Sequence, residues 1–336
     1  MKHIFVLSGG SIRGAWQTGA LLATLERLPA TDEIAGIFGV SVGALNAAFL
    51  ASNTVYKAGT PTTVSDLLAG CNALKSFWST KVTGPHSLVN GRSPAELAQS
   101  IIGQGGSFTG WKGLADHAPL IQLYKTVAIH ANIAQAPYTV KVGYTDYVTG
   151  RYSNKDLRTD AKSDQAVENL VFASAVTPLI MDYIRLQKAS GDWARLSDGG
   201  LRHVVPSTEV VDLVKALIAA GSAAGDVRVH TYVCSPALLP EWIIGNDRIG
   251  SHSKRPGLLD IIDRAFSMMT QSVVEADLYK LSTEINGLGS STKVYQNPTE
   301  YLTNSIVSFT SADVASMLQF GYDHAKGALQ VPPRIA

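Results

Sequence analysis

The sequence predicts an α/β fold built on a mainly parallel sheet, and three observations predict it. Strand-like and helix-like stretches alternate from the first residues. Glycine-rich turns sit where each early strand hands over to a helix. The composition, 46% hydrophobic with 16% charged residues over 336 positions, suits a well-filled globular core.

Residues 3–7 are a short apolar run ending against glycine, the pattern of a buried strand. The loop Gly9-Gly10-Ser11-Ile12-Arg13-Gly14 follows. From Ala15 the period is helical, carried by Trp16, Ala20, Leu21, Leu25 and Leu28 until Pro29 stops it. Residues 34–40 are a second apolar run, Ser41 follows, and 42–51 reads as an Ala- and Leu-rich helix. This βαβα start implies parallel strands. Residues 54–118 are weaker in pattern, with a helix expected at 64–78 and a loop at Gly103-Gln104-Gly105-Gly106-Ser107. That region reads either as a cap flanking a site or as a surface insertion. Alternation over 138–145 gives a strand, which turns at Val148-Thr149-Gly150-Arg151 into a partner through Tyr152. Helices are expected at 164–175 (closed by Pro178), 210–220, 258–285 and 311–329, a strand at 227–234, and a turn at Ser197-Asp198-Gly199-Gly200. No repeat or linker divides the chain. Residues 1–336 therefore read as one domain, with a catalytic core over about 1–205 and a C-terminal strand and helices over 206–336.

Charge is nearly balanced, 28 basic against 27 acidic residues for a net +1, which leaves no footprint for DNA or RNA. No polybasic run is present to hold an anionic membrane. Cys71 and Cys234 are the only cysteines, too few for a disulfide scaffold, and they read as buried apolar residues in a reducing compartment. No CxxC or HExxH occurs and the eight histidines are scattered, so neither a metal nor another cofactor is expected. The N-terminal apolar run is too short for a signal peptide, and no stretch reaches the roughly 20 apolar residues of a membrane span. The expected location is cytoplasmic, with at most transient peripheral membrane contact. Candidates for that contact lie around Trp78 and Trp111, against the commoner role of tryptophan in a core. Oligomeric state is not legible.

Two glycine-rich segments carry chemistry. Gly39-Val40-Ser41-Val42-Gly43 is a GxSxG sequence, entered by an apolar strand and left by a helix. In such an elbow the serine takes a strained turn that lifts Oγ out of the sheet, at a helix N-terminus that favours negative charge. The plainer alternative is a Gly-rich turn with an N-cap serine. The loop Gly9 to Gly14 opens a helix and can aim several N–H groups at an oxyanion. It is not a P-loop, because Gly14-Ala15-Trp16 stands where Gly-Lys-Ser/Thr is needed. A dinucleotide fingerprint fails too, since Ser11 replaces a glycine and the second strand ends in Ser41, not in an acid.

A nucleophilic serine needs a base. His203 and His230 are the histidine candidates. Asp198-Gly199-Gly200 is the alternative, because two glycines let the carboxylate approach another loop, and partial burial would raise its pKa toward that of a base. Taken alone, Asp-Gly-Gly is also simply a turn.

Together these pieces resemble the patatin-like phospholipase family, which carries a glycine-rich loop, then GxSxG, then a distant Asp-Gly-Gly. Gly9 to Gly14 matches its GGGxRG oxyanion loop, Gly39 to Gly43 its nucleophile elbow and Asp198 to Gly200 its dyad aspartate. Ala173-Ser174-Ala175-Val176-Thr177-Pro178 resembles the segment that supports the site, and Phe320-Gly321-Tyr322 a C-terminal helix of bacterial members. The resemblance implies a three-layer α/β/α fold and a Ser41–Asp198 dyad without histidine or metal. It places the oxyanion at the amides of Gly10 and Ser11, with Gly9 or Ile12 near. Arg13, Gly14, Gly39, Gly43, Gly199 and Gly200 support the motifs. The implied substrates are fatty-acyl esters, of phospholipids, lysophospholipids or related compounds. One departure stands out: Ser11 occupies the third glycine position, and a positive φ there costs serine roughly 1 kcal/mol. A Ser-His-Asp carboxylesterase and a non-catalytic effector on the same fold are the competing readings.

Overall fold

Apolar runs with no polar face build the centre of the sheet. In a computed structural model that describes residues 1–91, 115–125, 127–177, 181–187, 191–235, 243–244, 247–248, 258–297 and 309–327, β1 (Lys2–Leu7) is buried from His3 onward. β2 (Glu33–Val40) is buried throughout its last five residues. Strands buried on both faces belong to a parallel sheet covered by helices. β1 and β2 pair in parallel, with Leu7 opposite Gly39, and α1 (Gly14–Leu25) makes the crossover. β2 passes through Ser41 into α2 (Val42–Asn53).

The other strands of the main sheet are β3 (Thr139–Asp146), β4 (Arg151–Asp156), β5 (Ile184–Gln187), β6 (Trp193–Asp198), β7 (Val227–Val233) and β8 (Ser291–Gln296). They form an eight-stranded sheet in the order β8-β7-β1-β2-β3-β6-β5, with β4 beside β3. β8, β7, β1, β2 and β3 are parallel, while β4 and β6 run against β3.

The alternation of β1 divides the core. Phe5 and Leu7 join α1, α2, α3 (Val64–Lys81), α4 (Ala118–Lys125), α5 (Asp164–Ala175) and α8 (Ser311–Lys326) on one face. Ile4 and Val6 join α6 (Ser207–Ala219) and the C-terminal half of α7 (Leu258–Gly287) on the other. This is the three-layer α/β/α arrangement. Every residue of α1 is buried, as expected for a helix that is apolar all round. It meets α8 backbone to backbone: a Cβ on Gly19 would lie 1.9 Å from the Leu318 carbonyl oxygen, and one on Gly321 would lie 2.0 Å from that of Trp16.

Caps explain where the helices begin and end. Thr63 with Asp66 and Thr310 with Asp313 form capping boxes, and Ser163 caps α5. Gly327 takes a left-handed conformation at the end of α8, so this helix stops before the expected 329. Three strands of the main sheet were not expected from sequence, β5, β6 and β8, nor were the two-residue strands that pair Asn90–Gly91 with Ala115–Asp116 and Ile243–Ile244 with Asp247–Arg248. The expected turn at Ser197 begins later, since Ser197 and Asp198 are still in β6. Gly103 to Ser107, Trp111 and Pro178 lie outside the described residues. Among the described residues no helix is long and apolar enough to cross a membrane.

β3 acts as a ruler for two strands. One of its edges carries β4 along Lys141 to Asp146. The other carries β2 up to the pair Val40–Gly143, and then, from the opposite direction, β6 down to the pair Asp198–Tyr144. β2 and β6 therefore meet end to end on neighbouring rows. Ser41 leaves one strand where Gly199 leaves the other.

Candidate active site

The elbow is strained in the way its sequence predicts. Ser41 has φ 56 and ψ −126, a region that L-residues rarely adopt, and its carbonyl already accepts the first amides of α2. Gly43 is needed for close approach, because a Cβ there would lie 2.0 Å from the Leu7 carbonyl oxygen. Gly39 faces Gly43 with the same tightness. The end of β1 thus lies directly on the first turn of α2, and the glycine loop sits beside the serine. A Cβ on Gly9 would be 3.0 Å from that of Ser41.

Residues Ser11–Arg13 of this loop form one 3₁₀ turn that runs into α1, and the Arg13 N–H donates to the Gly10 carbonyl at 3.1 Å. Ser11 does adopt a positive φ of 55, so the departure from glycine carries its strain. Among the described residues, the N–H groups of Gly10, Ser11 and Ile12 donate to no acceptor. Free amides converging beside a helix start form an anion-binding nest. Gly14 packs against Val42 and Trp78, where a side chain would collide. Gly10 packs against Cys234, whose buried thiol is pushed up to about 12.

Asp198 completes the cluster. Its carboxyl is pushed up to about 6 by burial, while the nearby Ser41 hydroxyl and the hydrogen bond donated by the Gly200 N–H (2.7 Å) pull the other way. Gly199 lies on the β3 backbone, its Cβ direction 2.5 Å from the Gly143 carbonyl oxygen. The residues singled out from sequence are therefore gathered at one point.

Ser174, on α5, has a role that the sequence only hinted at. It accepts the Ser41 N–H at 2.8 Å and donates to the Gly143 carbonyl at 2.5 Å. The strained Ser41 is thereby tied to β3, against which the end of β6 at Asp198 pairs. A second buried chain runs behind the glycine loop. Trp78 Nε1 donates to Asn46, Asn46 donates to Gln17 and the Gly14 carbonyl, and Gln17 donates to the Ser8 carbonyl. None of these polar groups showed in the sequence, because their partners lie far apart along the chain.

A cavity of ≈ 60 Å³ opens beside Ser41 and Ser11, walled by Leu45, Leu74, Phe77, Val82, Leu120 and Met181. It is an apolar slot against the Ser41 hydroxyl. Trp78 lines it and is 4% exposed, so this tryptophan is a wall of the slot and not the surface contact considered from sequence. The histidines have other partners. His203 Nδ1 lies 2.7 Å from Asp277 of α7, and His230 packs inside the sheet against His3 at 3.1 Å. Neither bonds to Ser41 or Asp198 among the described residues. Within those residues no group of three or more His, Cys, Asp or Glu is placed to hold a metal ion.

A model described as patatin-like phospholipase matches residues 5–211, a span that includes the glycine loop, the elbow and Asp198. No curated protein matches the chain. Among solved structures, the chain is similar to VipD from Legionella pneumophila at 14% identity and a TM-score of 0.40. The alignment covers 97% of this chain and 66% of that one, so the chain spans just under two thirds of VipD's length.

Proposed function

From its place in the patatin-like phospholipase family, to which this chain belongs, we propose that it is a serine lipid acyl hydrolase working through a Ser41–Asp198 dyad. The observation that carries this reading is a buried Asp198 beside the Ser41 hydroxyl, its carboxyl pushed up to about 6 by burial. A carboxylate of that basicity is suited to accept a proton near neutral pH.

Asp198 takes the proton as Ser41 Oγ adds to the ester carbonyl. The carbonyl oxygen becomes an oxyanion beside the amides of Gly10 and Ser11, with Gly9 and Ile12 adjacent, and the N-terminus of α2 adds its dipole. Collapse expels the alcohol, which leaves with the proton from Asp198. Water then gives a proton to Asp198 and attacks the acyl-serine, and release of the fatty acid restores the hydroxyl. The acyl chain enters the slot between Leu45, Phe77 and Met181. Phospholipids, lysophospholipids and related acyl esters are the substrates of this reading. In this reading the catalytic core is residues 1–205, within the matched span, and 206–336 belong to the same domain because β7, β8 and α8 pack on the same sheet.

The test is hydrolysis of lipid and p-nitrophenyl esters with Ser41→Ala as blank. Asp198→Asn is expected to lose about 10³-fold in kcat, and the wild-type rate to fall about tenfold per unit below pH 6, where Asp198 is protonated. Near-normal turnover by Asp198→Asn would overturn the dyad.

A further inference from the structure

Three segments bring exposed aromatic and basic side chains to one place. The turn after β3 exposes Tyr147 (59%) and Val148 (63%), and the first residue of β6 exposes Trp193 (58%). The Tyr147 N–H donates to the Arg195 carbonyl at 2.7 Å, which ties the turn to β6. Arg185 of β5 stands directly opposite Arg195 in the ladder, and both guanidinium carbons lie 5.4 Å from the centre of the Tyr183 ring. Exposed Arg202 lies beside Gly150 of the same turn.

Like charges paired across an antiparallel ladder repel. Among the described residues Arg185 bonds only to the Tyr183 hydroxyl, and no carboxylate pairs with either arginine. Nearby acids are used locally. Asp146 takes the N–H groups of Val148 and Thr149, and Asp182 takes that of Tyr183. Asp192 is an exposed acid on the β5–β6 hairpin, so the basic excess is centred on the 185–195 rung. A phosphate would relieve the repulsion by bridging two guanidiniums.

The registers place this patch at the catalytic end of the sheet. Asp198 pairs with Tyr144, so Tyr147 stands three residues and Trp193 five residues beyond it. At about 3.3 Å per residue these are roughly 10 and 17 Å past the carboxylate. Met181, which walls the acyl slot, is two residues from Tyr183. The slot and the patch are therefore neighbouring parts of one surface.

We propose that this face docks on an anionic phospholipid bilayer. Arg185 and Arg195 take headgroup phosphates, and Tyr147, Val148 and Trp193 enter the interfacial layer, where amphipathic rings and arginines are favoured. The biological purpose rests on the hydrolase reading, but the docking is measured without turnover. Full-length Ser41→Ala protein is sedimented with vesicles of diether phosphatidylcholine, with or without phosphatidylglycerol. Binding is expected to rise with phosphatidylglycerol and fall with salt. Arg185→Gln with Arg195→Gln should weaken the phosphatidylglycerol-dependent binding by about 30-fold, and the lysine pair should keep most of it. Trp193→Ala is expected to weaken binding to both vesicle types. Glutamine-pair binding equal to the parent's, a lysine pair as weak as the glutamine pair, or a parent that binds neither vesicle would each overturn the proposal. Vesicle binding by a chain that, with Ser41 intact, hydrolyses no ester would refute the activity and leave this surface standing.

Discussion

Two aspartates, Asp32 half-buried and Asp198 buried, sit at opposite ends of the same sheet and have opposite chemistry. Asp32 precedes β2 at the edge away from the nucleophile, and Asp198 closes β6 beside it. Burial pushes both carboxyls up. At Asp32 the effect is outweighed by hydrogen bonds, led by that of His3 at 2.9 Å, which hold the carboxyl below its ordinary value. Asp198 has only the Ser41 hydroxyl and the Gly200 amide, and burial wins. Neutral donors support a carboxylate less than a polarised or charged network does. One aspartate is a tie, and the other has the basicity that the proposed mechanism needs.

The comparison breaks most visibly in turnover. Asp32→Asn is expected to keep kcat within about twofold, against the loss of about 10³ for Asp198→Asn, because only the latter removes a general base. An Asp32→Asn enzyme as dead as Asp198→Asn, in a folded chain, would erase the distinction.

Thermal melts over pH sharpen it. The folded carboxyl of Asp198 is raised from 3.8 to about 6, so its ionised form costs stability above pH 6 and nothing below 3.8. Asp198→Asn should therefore melt above the wild type at pH 8, by up to about 3 kcal/mol, and near it at pH 3.5. Asp32 has the opposite sign. Its stabilisation is present above 3.8 and is lost as pH falls through its depressed value. Asp32→Asn should cost about 1–3 kcal/mol at pH 7 and little at the acid end. Parallel melting curves for the two variants would sink the assignment.

A smaller effect tests the tie between nucleophile and base. Ser174→Ala leaves the Ser41 N–H without its acceptor. Urea unfolding should show a loss of about 1–3 kcal/mol, and kcat should fall about tenfold through misplacement of Oγ. Smallest is Ser11→Gly, which removes the strain of a positive φ. It should gain about 0.5–1 kcal/mol net of unfolded-state entropy, with kcat unchanged. A loss of stability there would mean that the serine side chain has a role of its own.

The N-terminal half was legible because its signals are local. The runs at 3–7 and 34–40 are apolar throughout, the glycine turns are short, and capped helices such as α5 stand on one period. β5 and β6 were not, since their alternation, Ile184 and Leu186 against Arg185 in one and Ala194 and Leu196 against Arg195 in the other, runs for only about four residues. β8 hides because it carries little apolar pattern, with Lys293 exposed at the sheet edge. Ser41 and Asp198 were readable as motifs, yet their adjacency was not, because it is set by which rows of β3 each strand occupies. The slot was invisible. Its walls come from α2, α3, α4 and the residues after α5, and only tertiary packing brings Leu45, Phe77, Leu120 and Met181 together.

The meeting of β2 and β6 on β3 also fixes when the site can exist. The chain is made from its N-terminus, and β1, β2 and β3 can pair before β6 has been synthesised. Until then row 144 of β3 has no partner on that edge, and Ser41 has its loop but no base. Closing the span from position 41 to position 198 is a long-range, entropically costly step, and strands of that kind join late. On the proposed mechanism, a growing chain therefore carries Ser41 unarmed until β6 joins the sheet.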